Sequence, residues 1–427
     1  MSRLLPDWSY DRLKDVAAIN AASLPADTDP DYEFDYLEIS NVDYYGIVDP
    51  KAIERLCYED APSRARRCVA KNCTLVSSVR PNLQAVAFVE KGPNDFVCST
   101  GFNVVQPVER ELWPKFGYYV LISEGARQYF EATAKGVGYP AVDDKDFNSL
   151  VVPLPPLPEQ QRIAAYMDAS CAAIDAAVAA KRCQLETLDA LRKTTIHRAV
   201  TQGLNPDAKM KSARVDWLSE VPAHWTPSRI KNVAKLSPGY SGRPPTNEEM
   251  CTFVPMELLT EDGTLDTTSL LVFEDVNGGL TLFEVGDVLF AKITPCMENG
   301  KGAFVESLPS RYAFGSTEFH VLRPANTING KFLYYYTYNP IFRAYAAENM
   351  SGAAGQKRVS SRFLKETRLF LPPLPEQLEI ISFLTAKDTE FRTLFTQIES
   401  QVATLTAYRK SLIHECVTGQ RGSPRRI

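Results

Sequence analysis

From Glu159 to Gln202 the chain runs without a glycine or proline, and its apolar residues return every three or four positions. Ile163, Met167, Ser170, Ile174, Ala177, Lys181, Leu185 and Leu188 mark a heptad-like seam along one helical face. Frequent alanine raises helix propensity throughout. A second stripe carries larger side chains: Ile380, Leu384, Phe391, Leu394, Ile398, Val402, Leu405 and Leu412. Small residues on one helix facing large ones on the other would interdigitate. At the usual α-helical rise each helix reaches roughly 60 Å. Elsewhere the period changes. Short β-branched or alternating runs at residues 73–79, 85–90, 287–293 and 319–322 predict strands, and residues 117–133 and 331–348 predict aromatic-rich helices. The parts outside the long helices are therefore mixed, of the α+β class.

The heptapeptide LPPLPEQ occurs at residues 154–160 and again at 371–377, an offset of 217. The offset holds elsewhere. Trp8 falls on Trp225, Arg12-Leu-Lys-Asp-Val16 on Arg229-Ile-Lys-Asn-Val233, Pro107 on Pro324, and Ile196-His197 on Ile413-His414. The chain is thus two copies of one unit, each a globular part followed by a helical tail, with the tails more alike than the globular parts. The prolines hold the chain extended ahead of each helix and place Pro158 and Pro375 at its start. Glu159 and Glu376 then complement the helix dipole in the first turn. If a pseudo-twofold axis relates the halves, the two helices run antiparallel between two heads and the arrangement is circular.

Length and composition narrow the class. At 427 residues, with 44% hydrophobic and 23% charged, the chain suits two or three globular domains. No uninterrupted apolar run of membrane-spanning length occurs, and the first residues lack a signal-peptide pattern, so a cytoplasmic location is expected. Nine irregularly spaced cysteines fit free thiols better than a zinc site. A net charge of −5 argues mildly against a free-standing nucleic-acid binder but leaves room for basic patches.

Catalytic signatures are missing from the sequence. There is no phosphate-binding GxxxxGK[ST], no GxGxxG after a strand, and no amino-methyltransferase tetrapeptide. His197 and His414 sit near helix C-termini, where a cation would complement the dipole. Asp143-Asp-Lys145 and Asp207-Ala-Lys209 resemble half of a nuclease pattern, with nothing upstream to complete a metal site. What remains is recognition. In the first copy Arg80, Asn82 and Gln84 lie between two strand-like runs, and Lys135 and Tyr139 flank a Gly-rich turn. In the second copy Lys292 and Lys301 bound the matching connection, and Gln356, Lys357 and Arg358 follow the matching turn. Arg and Lys suit guanine edges and phosphates, whereas Asn and Gln suit adenine. Glycine lets a backbone approach a phosphate closely.

These motifs together resemble the specificity subunit of type I restriction–modification systems. The resemblance rests on the doubled LPPLPEQ and on RKTTIHRAVT and RKSLIHECVT closing the helices. GLNP and WLSEVPAHW, which follow the first helix, complete it. It covers essentially the whole chain. It implies two target-recognition domains at 1–153 and 225–370, each reading one half of a bipartite site on double-stranded DNA. The proline-rich lead-ins and spacer helices would occupy 154–203 and 371–420, with a linker at 204–224 and a basic tail at 421–427. It also implies that this chain has no catalytic residues, metal or cofactor of its own. The chain would dock two methyltransferase subunits using S-adenosylmethionine, with ATP- and Mg-dependent nuclease subunits added for restriction. The loop SPGYSGRPPT at 237–246 fits the family, but its first-copy counterpart INAASLPADT has lost the glycines, so contacts there do not transfer between copies. Two other readings share these features: a recognition module of a methylase-only defence assembly, and a coiled-coil scaffold whose heads bind proteins.

Overall fold

The computed structural model describes residues 8–42, 46, 48–90, 95–276, 278–353 and 355–421. The chain forms two compact units, Met1–Arg182 with Glu399–Ile427, and Cys183–Ile398. Two long helices, Leu157–Gln202 and Leu374–Val417, supply both units. Of the tail at 421–427, only Arg421 lies within the described residues.

The first unit carries two four-stranded sheets. One orders Ala17–Ile19, Phe102–Pro107, Cys73–Ser77 and Val86–Val89, all antiparallel. The other orders Glu54–Cys57, Glu33–Leu37, Phe96–Ser99 and Ala65–Cys68, with Glu33–Leu37 and Phe96–Ser99 parallel. The strand Ser9–Arg12 pairs with Val151–Leu154 and leads into the first long helix. That helix buries Ile163, Met167, Cys171, Ile174 and Val178 against Phe116, Tyr119 and Val120. The closing turns of the other long helix add Leu412, Ile413, Cys416 and Val417 to the same core. The start of one helix and the end of the other therefore share one core. Cys171 and Val178 take the buried positions that the sequence pattern gives to Ser170 and Ala177, one residue earlier. By length and composition the first long helix could cross a bilayer, because alanine counts as apolar. Its larger apolar residues instead fill this core.

The second unit has the same plan. Its sheets order Ala234–Leu236, Phe319–Pro324, Val288–Ala291 and Gly302–Phe304, and Leu270–Val272, Met250–Val254, Ala313–Gly315 and Thr281–Phe283. Register survives the offset of 217: Ser9 faces Leu154 and Thr226 faces Leu371, Ala17 faces Pro107 and Ala234 faces Pro324, Asp35 faces Phe96 and Thr252 faces Ala313. It slips at the remaining pairings, by three where the connection begins. Val105 faces Thr74, whereas Leu322 faces Val288, and that strand feeds the connection beginning at Lys292.

Three features depart from the sequence pattern. The helix expected over 117–133 is two, Pro114–Leu121 and Glu124–Thr133, because Ser123 Oγ caps Ala126 N. The one expected over 331–348 divides into Gly330–Tyr338 and Pro340–Glu348. There Asn339 caps the second piece and Pro340 starts it without an amide hydrogen. The segment read as a linker, 204–224, holds a hairpin of Met210–Val215 and Leu218–Pro222. It buries Ala213, Leu218 and Val221 in the core of the second unit.

The final residue of the repeated heptapeptide explains its persistence. Gln160 is 1% exposed; its Oε1 accepts from Trp113 N at 2.7 Å, and Nε2 donates to Glu111 O and Pro155 O. Gln377 does the same with Asn329 N at 2.8 Å, Thr327 O and Pro372 O. Each buried amide satisfies three backbone groups that no helix or sheet reaches, and so pins the helix start to the adjoining head. Glu376 has a further task. It accepts from the buried Trp225 Nε1 at 3.0 Å and lies 2.8 Å from His224 Nε2.

Candidate nucleic-acid interface

In the first unit the strand Cys73–Ser77 leads into a tight connection. Pro81–Leu83 forms one 3-10 turn, flanked by Arg80 at φ 50° and Gln84 at φ 48°. Two non-glycine residues in the left-handed region cost about 1–2 kcal/mol each. They persist because surrounding bonds fix them: Arg80 N donates to Pro140 O at 2.7 Å, and Gln84 N to Pro81 O. The neighbouring loop closes through reciprocal bonds between Lys135 and Ala141, leaving Gly136–Pro140 as its tip. Arg80 and Tyr139 thereby meet, with the guanidinium carbon 4.2 Å from the ring centroid.

The second unit builds the equivalent place differently. Its longer connection from Lys292 to Lys301 folds through Met297 O, which accepts from Arg343 at 2.8 Å. Arg343 also donates to Thr337 O and Lys301 O, and it lies over Phe290. Burial pulls this guanidinium down to about 10. The loop Ser351–Arg358 closes by bonds between those two residues. It joins the connection where Thr294 Oγ1 donates to Gly355 O and accepts from Lys357 N. Val359 N bonds Lys292 O, as Val142 N bonds Ser78 O in the first unit.

Not every sequence-selected cation is available. Lys135 pairs with Asp143 at 2.6 Å and Asp146 at 3.0 Å, and those carboxylates raise its pKa. Asp143 itself caps the helix Asp144–Asn148, which accounts for half of the nuclease-like pattern. Lys292 Nζ donates to Thr317 O, and Lys301 Nζ to Met256 O. Arg358 makes a bidentate pair with Glu318, raising its own pKa and lowering that of the carboxyl. Among the described residues, the Arg80 guanidinium and the side chains of Asn82, Gln356 and Lys357 make no hydrogen bond or ion pair. Gln84 is half-buried in the first connection. The sequence pattern named Tyr139, which is 74% exposed, but missed two other exposed apolar residues of these loops: Val137 at 99% and Leu83, in the first connection, at 52%. A valine between two glycines of a loop was the available signal.

The histidines also differ from expectation. His197 Nδ1 lies 3.1 Å from Asn339 Oδ1, and burial lowers its pKa, the opposite direction from a cation favoured at a helix end. Among the described residues no three His, Cys, Asp or Glu side chains gather as a metal site.

Two heads of one topology, with polar loops at matching corners, define a duplicated recognition protein. The chain belongs to the family described as type I restriction modification DNA specificity domain, which matches residues 6–186 and 222–404. A 197-residue segment is 34% identical to the type I restriction enzyme EcoAI specificity subunit of Escherichia coli. That segment covers 45% of this chain and 32% of the relative, so the match spans about a third of the relative's length. The fold is similar to a chain solved in work on complex assembly and conformational transition of the type I R-M system. The TM-score is 0.77 at 21% identity, covering 99% of this chain and all of the other. It also resembles the HsdS subunit from Thermoanaerobacter tengcongensis, with TM-score 0.56, 21% identity and 98% of each chain covered.

Proposed function

We propose that this chain is the non-catalytic DNA-reading subunit of a type I restriction–modification complex, each head reading one half of a bipartite site. The observation that carries this reading is the pair of matching loop corners, Arg80 with Tyr139 and Thr294 with Gly355 and Lys357, on frames whose parallel strand pair keeps its register. Arg80, Asn82, Gln84 and Tyr139 read the first half-site, and Gln356 and Lys357 the second. Lys135, Lys292, Lys301 and Arg358 shape the loops. The long helices set the unread spacer and dock two methyltransferase subunits in the cytoplasm. S-adenosylmethionine, and ATP with Mg for any nuclease subunits, belong to those partners. Phosphate contacts dominate DNA affinity, so an acidic chain would bind tightly only once its partners complete the clamp.

Genome-wide mapping of N6-methyladenine, in a host expressing this chain with its methyltransferase subunit, tests the reading. A bipartite motif with a fixed gap, lost on deleting this chain, is the expected result. No motif dependent on the chain would sink it. Inserting one heptad into both helices should lengthen the gap and leave the half-sites unchanged.

A further inference from the structure

Arg80 combines three properties that no other sequence-selected cation shares. Its backbone is held in the left-handed region by bonds on both sides, with N donating to Pro140 O and O accepting from Leu83 N. Its guanidinium lies over the ring of Tyr139, which fixes the plane of an otherwise flexible side chain. The donors of that guanidinium are not engaged by any described carboxylate or carbonyl. Lys135 and Arg358, by contrast, are bound to carboxylates, and Lys292 and Lys301 to carbonyls.

The surroundings make a base edge a better partner than a phosphate. A phosphate contact needs charge near the backbone and gains nothing from apolar neighbours. Here Tyr139 lies against the cation, and the same two loops expose two further apolar side chains, Val137 two residues before Tyr139 and Leu83 three residues after Arg80. Apolar side chains beside a planar, preorganised donor fork suit a base edge and a thymine methyl in the major groove. Backbone held in a sparsely populated conformation accords with a position kept for recognition.

We propose that Arg80, positioned by Tyr139, reads a guanine in the half-site of the first head through bidentate bonds to O6 and N7. This rests on the DNA-reading assignment above. The repeat-related position of Tyr139 is Gln356, so the second head has no such aromatic support and serves as an internal control.

The test uses the complex of this chain with its methyltransferase subunit and oligonucleotide duplexes carrying the mapped site. Competition binding is measured for every single-base change. In the native complex a guanine in the first half-site should be discriminated, and Arg80→Ala should reduce that discrimination by about 5- to 150-fold. Tyr139→Ala should relax the same position, and Tyr139→Phe should restore it. Preferences across the second half-site should not move, which shows that the variants remain folded and assembled. A first half-site without guanine overturns the proposal while leaving the reading of the subunit intact. Uniform weakening at all positions, the signature of a phosphate contact, also overturns it. Absence of any bipartite site defeats the parent reading instead.

Discussion

The two heads solve one structural problem with different materials. Both hang a connection and a loop from the same strand frame, but the first relies on backbone strain and the second on a buried cation. In the first, two left-handed residues compress the turn at Pro81–Leu83. In the second, a longer connection is braced from beneath by Arg343, whose repeat-related position in the first head is Ala126. The frame tolerates this difference because the three-residue register slip falls in the strand that feeds the connection. Recognition chemistry can diverge where strand pairing no longer fixes length.

The largest way to break this comparison is Arg343→Met. Three carbonyls would lose their donor, and the second unit should lose about 3–4 kcal/mol in denaturant unfolding. Hydrogen exchange should show the first unit unaffected. Next come Gln160→Ala and Gln377→Ala, each leaving buried backbone groups unpaired and costing its own unit about 2–3 kcal/mol. Equal losses would confirm that this clamp, unlike the loops, is shared between the copies. Unequal losses would break the equivalence.

Acid should separate the units more gently. His320 is buried and His197 half-buried in the second unit, and burial lowers the pKa of both. The unfolded chain binds protons near pH 6.5 and the folded unit only below that. Stability of the second unit is therefore fully present above about 6.5 and falls as pH drops through the lowered values. His320→Gln should flatten this slope in melts followed from pH 7.5 to 5. The smallest change is a gain. Gln84→Gly should relieve left-handed strain and stabilise the first unit by about 0.5–1 kcal/mol, read as a raised denaturation midpoint.

The frame was legible because helices and their starts have local causes. The seam from Ile163, the prolines at 155, 156 and 158, and the offset of 217 all follow from the sequence. The site was legible only in part. Lys135 looked available because Asp143 and Asp146, which bind it, belong to the following helix rather than to its own loop. Arg343 sits in an amphipathic helix where periodicity shows burial but not the three carbonyls it meets. The 204–224 segment reads as polar punctuation, yet Leu218 and Val221 are enough to dock a hairpin. Gln160 was overlooked because a polar letter after Pro-Glu suggests solvent, and only tertiary contacts reveal an amide with three partners.

The first unit takes Leu412, Ile413, Cys416 and Val417 into a core otherwise built from Leu13 to Val178. On the ribosome this reverses the customary order, in which the earlier domain matures first. The second unit is contiguous and can close while the last helix is still being made. The head synthesised earlier must wait with apolar surface exposed until the residues through Val417 have emerged. A premature stop near Glu399 would spare the later head and take Leu412, Ile413, Cys416 and Val417 out of the core of the earlier one.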